Sequence, residues 1–130
     1  MAEMSNFLEN ALINATLRAT TYTSVATVYV SLWTSDPTDA GSGTEVSTSG
    51  TGYARTAVTF GAPSNGVTTN SADVTFPTAT ASWGTVGWIG INDAATSGNL
   101  LYHSPLDTSK TIDSGDIFKI STGNLSVTLA

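Results

Sequence analysis

The sequence predicts an all-β chain, a single β-sandwich or jelly-roll-like domain preceded by a short N-terminal α-helix. Three observations carry that. Apolar and polar residues alternate in seven or eight short runs, each closed by Gly, Pro, Asn or Asp. Serine and threonine supply about three residues in ten, while charged residues make up only 11%, well under the roughly 25% of an average chain. Apolar residues recur at helical spacing in one place only, near the N-terminus. At 130 residues, one domain is the natural count. It divides into residues 1–24, a helix and linker that could serve as a docking arm, and residues 25–130, the sandwich.

The helix is expected from Asn6 to Ala19. Asn6 can cap it, and Glu9 three residues on completes a capping-box pattern. Leu8, Leu12, Ala15 and Ala19 form a narrow stripe, with Ala11 beside it and Asn10 and Asn14 interrupting the other face. A helix this short needs a surface to lie on. It either packs over one end of its own sandwich or docks on a neighbouring subunit through Phe7, Leu8, Leu12 and Ala15. The Thr20–Val25 linker would give it the reach to do so.

Ala26–Trp33 is the clearest strand. Val28, Val30 and Leu32 point inward, and Thr27, Tyr29, Ser31 and Trp33 point the other way. Asp36-Pro37 forces a turn. Residues 39–52 read as a long exposed loop with Val46 as the only larger apolar side chain. Tyr53–Phe60 follows as a strand with Val58 and Phe60 inward. Asn65-Gly66 marks a turn, Val67–Ser71 a short edge piece, and Ala72–Phe76 a strand stopped by Pro77.

Trp83–Asp93 is the stretch around which the other strands should be laid. It holds two of the three tryptophans and no charge before Asp93. Val86, Trp88 and Gly90 share one face, and Gly87, Ile89 and Ile91 share the other, so both faces should be covered. Its glycines suggest a bulge or the close approach of another segment, and each indole N–H wants a partner. The expected core is Val30, Leu32, Trp83, Trp88 and Ile91. Asn99–Ser104 is a strand ended by Pro105, residues 106–112 hold a short strand, and Asp113-Ser-Gly-Asp116 is a hairpin turn. Ile117–Ser121 and Asn124–Leu129 close the fold.

The net charge is −6, and only Arg18, Arg55, Lys110 and Lys119 are basic. No basic patch exists to neutralise phosphates, which argues against nucleic acid and anionic membrane surfaces as partners. There is no cysteine, so disulfides and thiolate metal sites are excluded. No run approaches the roughly 20 apolar residues of a membrane span. The N-terminus lacks signal-peptide features, so synthesis in a cytoplasm is expected.

Candidate chemical groups are few. His103 neighbours Ser104, but adjacent strand residues face opposite ways, so an ordinary strand histidine is expected rather than a triad. Asp36, Asp39 and Glu45 could offer oxygens to calcium, but their spacing matches no compact calcium loop. Asp113 and Asp116 read as solvated turn acids, and Gly84-Thr-Val-Gly87 has no helix after it to cradle phosphate. Neither an enzyme nor a bound cofactor or metal is expected.

Further motifs carry a resemblance. Met4–Asn10 precedes Val28-Tyr-Val-Ser-Leu-Trp-Thr-Ser-Asp-Pro-Thr38. Glu45-Val46, Tyr53–Val58, Ala81–Val86, Ile91–Leu100, Ser114-Gly-Asp116 and Gly123-Asn-Leu125 then follow in order. Over nearly the whole chain this resembles a family of small tailed-phage virion proteins. Some members are labelled tail fibre proteins, and related ones look like capsid cement or decoration proteins. The resemblance implies a virion component that forms symmetric assemblies, often trimers, and it offers no catalytic residue. The expectation is a decoration protein on the capsid surface, self-associated as a trimer and bound to the major capsid protein. The alternative is a tail-fibre or receptor-binding module presenting Tyr29, Trp33, Tyr53 or Tyr102 to glycan.

Overall fold

Residues 2–129 are described by the computed structural model. Its centre is a long antiparallel pair, β6 (Gly84–Asn92) with β7 (Leu100–Ile112). β2 (Val28–Trp33) pairs with the far side of β6 and β3 (Thr56–Val58) with β2. β1 (Glu3–Met4) pairs with β7. The resulting sheet runs β1-β7-β6-β2-β3. β4 (Val67–Thr69) pairs with β9 (Ser126–Thr128), and β5 (Val74–Thr75) with β8 (Lys119–Ile120), giving two short ribbons. The all-β expectation with one short helix, α1 (Asn6–Leu17), holds.

The core joins the main sheet to the ribbons. Val30, Leu32, Val58, Val86, Ile89 and Ile112 meet Val74, Phe76, Phe118 and Leu125, with Val46, Tyr53 and Trp83 from the connections. Trp83 stands edge-on to Tyr53, ring centroids 5.4 Å apart, and Phe118 edge-on to Phe76 at 5.6 Å, the geometry that aromatic quadrupoles favour. The Trp83 indole N–H donates to the Thr51 carbonyl at 2.8 Å, so this wedge is buried with its polar edge satisfied.

Of the expected core, Val30, Leu32, Trp83 and Ile91 are buried, but Trp88 is only half-buried. The cause is a register shift. While β6 advances from Val86 to Trp88, β7 advances from Lys110 to Pro105. This irregularity breaks strict alternation, so Val86 and Ile89 both reach the core and Trp88 turns to the other face beside Trp33. Pro105 does not end its strand either. It sits at the irregularity, on a part of β7 that β1 does not reach, where its missing N–H is tolerated.

Other turns follow their sequence. Asn65 (φ 52°) and Gly66 (φ 77°) make a two-residue hairpin turn in which Ser64 and Val67 exchange backbone bonds. Asp113–Asp116 is a turn, but not of a hairpin, because β8 pairs with β5; it carries the chain from the sheet to a ribbon. The 39–52 segment is not all free loop. Val46 is buried, its amide donates to the Leu32 carbonyl, and Glu45 bridges Trp33.

The cap of the helix lies one residue earlier than expected. Ser5, not Asn6, is the N-cap, its hydroxyl accepting the Leu8 amide at 3.2 Å. The helix stops at Leu17, where Ala19 adopts a left-handed conformation (φ 54°). The boundary expected at residue 24 has β1 and Ser5 on its N-terminal side, already bonded to β7.

Candidate functional site

The register of the sheet builds the first part of the site. Glu3 lies opposite His103, His103 opposite Gly90, and Gly90 opposite Ser31. Directly opposed residues share a face, so these four form one row across β1, β7, β6 and β2, on the side away from the core. The row is polar but satisfied. Ser31 donates to Asn92 Oδ1 at 2.6 Å and accepts the Trp33 indole N–H at 2.8 Å. Gly90 is required there: a Cβ would lie 2.7 Å from both Leu100 Cδ1 and Ser31 Oγ.

At the end of the row His103 is buried at 5% exposure, and its Nε2 lies 2.8 Å from Asp39 Oδ1 and 3.9 Å from Glu3 Oε2. Its Nδ1 faces Asp36 Oδ1 at 4.0 Å. Three carboxylates therefore surround one imidazole, and no lysine or arginine among the described residues pairs with any of them. His103 lies within β7, and Asp36 and Asp39 stay exposed in their loop, as expected; beyond that expectation, both acids converge on the histidine. Glu45 departs to a separate network, gripped by Arg55 Nε and Nη2 at 2.9 and 2.8 Å and by the Tyr53 hydroxyl at 2.6 Å.

The same anchor seats the helix. Ser5 Oγ donates to the Leu100 carbonyl, the Ser5 amide to Leu101, and the Asn6 amide to Asp39 at 2.9 Å. Of the four side chains assigned to docking, Leu8 is buried against the chain's own body, Leu12 and Ala15 are half-buried, and Phe7 is 42% exposed. The outer face of α1 carries Ile13 and Leu17 at 52% and 79% exposure. That apolar pair was missed because the inner stripe alone shows a tidy period; i, i+4 spacing of Ile13 and Leu17 was its signal.

Of the aromatics assigned to glycan, Trp33 and Tyr53 are buried, and Tyr29 and Tyr102 are half-buried. Burial, and then the hydrogen bond to Glu45, push the Tyr53 phenol far above its ordinary range. Burial also raises Tyr102. Asp113 and Asp116 close their own turn, Asp116 Oδ2 accepting the Asp113 amide. No helix among the described residues is long and apolar enough to cross a membrane.

A family model described as podophage GP4 fiber I protein gp80 matches residues 3–128. Among curated proteins, none matches the chain.

Proposed function

The chain belongs to the family of the podophage GP4 fiber I protein gp80, and from that premise we propose that it is a fibre-type component of the phage tail, built as a closed homo-oligomer. The family match over residues 3–128 carries the reading. Its assembly follows from what a single copy leaves uncovered. Ile13 and Leu17 stand out from α1, and Val25 follows at 42% exposure. The sheet ends in β1 and β3, whose outer edges pair with no other strand among the described residues of one copy. Few charges guard these surfaces, so a second copy of the chain is the occupant that fits them.

A decoration protein on the major capsid lattice is the second reading. One observation favours it: the sequence carries no periodic repeat, unlike an extended fibre shaft. The experiment is quantitative counting of this protein in purified particles, together with immunogold localisation. Label on the tail at tail stoichiometry supports the fibre reading; label over the head at lattice stoichiometry replaces it with decoration. Sedimentation of Ile13→Asp and Leu17→Asp tests the self-association. Dissociation to a folded monomer is expected, with a melting temperature lowered by the lost association, and an unchanged oligomer would reject this face as the contact.

A further inference from the structure

We propose that Glu3, Asp39 and His103 form a binding site for a divalent transition-metal ion of the zinc type, fastening the N-terminal strand and helix to the sheet. The ligand-bearing atoms come from β1, from the turn after β2 and from β7, and all lie within 4.8 Å of one another. A tetrahedral ion bound at about 2.0–2.1 Å holds neighbouring ligand atoms roughly 3.3 Å apart. The separations of 2.8 Å from Nε2 to Asp39 and 3.9 Å from Nε2 to Glu3 bracket that value. Small side-chain rotations close the set, and they are available because Glu3 and Asp39 are exposed at 72% and 49%. The histidine does not need to move. It is buried in the sheet with Nε2 aimed at both carboxylates.

Charge points the same way. Glu3, Asp36 and Asp39 are gathered around one imidazole, and the acidic chain supplies no lysine or arginine to them among the described residues. A bound dication would neutralise the excess. An imidazole nitrogen in the set selects zinc and related ions over magnesium or calcium, which prefer oxygen alone. In the bound form the Nε2 lone pair faces the ion and the ring hydrogen sits on Nδ1, the nitrogen that faces Asp36. Asp36, whose Oδ1 accepts the Thr38 amide and stands 4.0 Å from Nδ1, is then a positioning residue: a small side-chain shift on ion binding would bring it within reach of Nδ1–H and orient the ring. The fourth position is left to water.

The test uses the full chain, stripped with chelator and titrated with Zn2+ and separately with Mg2+, by calorimetry and by thermal melting. His103 is the single histidine, so its ring nitrogens are read without ambiguity in long-range proton–nitrogen NMR. One zinc per chain is expected, with a raised melting temperature, a shifted Nε2 resonance and a hydrogen retained on Nδ1. His103→Gln risks misfolding at a buried position, so the exposed Glu3→Gln carries the argument. It should weaken zinc binding at least about tenfold while melting like the wild type without metal, and Asp36→Asn should weaken it by about tenfold or more. No binding at millimolar zinc, equal binding of magnesium, an unperturbed histidine signal on saturation, or unchanged affinity in Glu3→Gln would each overturn the proposal.

Discussion

The Tyr53 hydroxyl donates to Glu45 Oε2 at 2.6 Å while its oxygen accepts the Leu32 amide at 3.0 Å. One phenol thus joins a loop carboxylate to the backbone of β2. Its ionisation is suppressed by burial first and by the Glu45 bond second. The sign of the linkage follows. The unfolded phenol ionises near pH ~10, the folded one higher, so the unfolded state releases its proton first. This contribution is complete below pH ~10 and is lost as pH rises beyond it.

Tyr53→Phe should therefore flatten the alkaline fall of the urea midpoint. Tyr102, raised by its own burial, keeps part of it. Near neutral pH the same substitution should cost about 1–3 kcal/mol, because the buried Leu32 amide loses its acceptor. Identical pH profiles for wild type and variant would show that Tyr53 is not the group responsible.

Trp83→Ala should be the most damaging of the three tryptophan substitutions, at about 3–5 kcal/mol. It removes an aromatic contact with Tyr53 and one of the two hydrogen bonds to the Thr51 carbonyl, which keeps the Thr80 amide. Trp88→Ala should cost clearly less, since that ring is half-buried. Chemical denaturation of the two variants decides it, and equal midpoints would contradict the assignment of Trp83 to the core.

Gly90→Ala should destabilise by about 1–3 kcal/mol, since its new methyl would meet Leu100 and Ser31 at 2.7 Å. Gly87→Ala is the control within the same strand. The nearest atom to its Cβ is Ser109 Oγ at 3.4 Å, and a smaller effect on melting is expected.

Ser5→Ala should cost about 1 kcal/mol from the lost cap, with a further loss because Ser5 Oγ also ties the helix start to Leu100. Deleting residues 2–19 should lower the melting temperature more, since it also strips β1 from β7. A deletion that melts like the full chain would show that the helix and β1 contribute nothing to the sheet.

Legibility followed locality. Val30 and Leu32 were readable because alternation along β2 is unbroken, and the Asn65-Gly66 turn because two adjacent residues determine it. Trp88 was misplaced because strand parity is a running count, and the irregularity opposite Pro105 resets it with no marker in β6 beyond Gly87. Ser5 was missed because Asn6, one residue on, satisfied the same capping pattern. The Glu3–Asp39–His103 cluster was illegible for another reason. Asp39 and His103 are 64 residues apart, and only the pairing of β1 with β7 brings Glu3 to them. No spacing rule reports a contact made by sheet register.

The two attachments of α1 have a mechanical consequence. Its start is held by hydrogen bonds to Leu100, Leu101 and Asp39, whereas its end continues covalently through residues 18–27 into β2. Tension applied to the helix would first peel the noncovalent fastening, bond by bond, since β1 contributes only two residues. The segment 18–27 then pays out to a contour of about 35 Å before the load reaches β2, which is hydrogen-bonded on both sides by β3 and β6. Under load the N-terminal anchor would thus be a weak link in series with a hidden length.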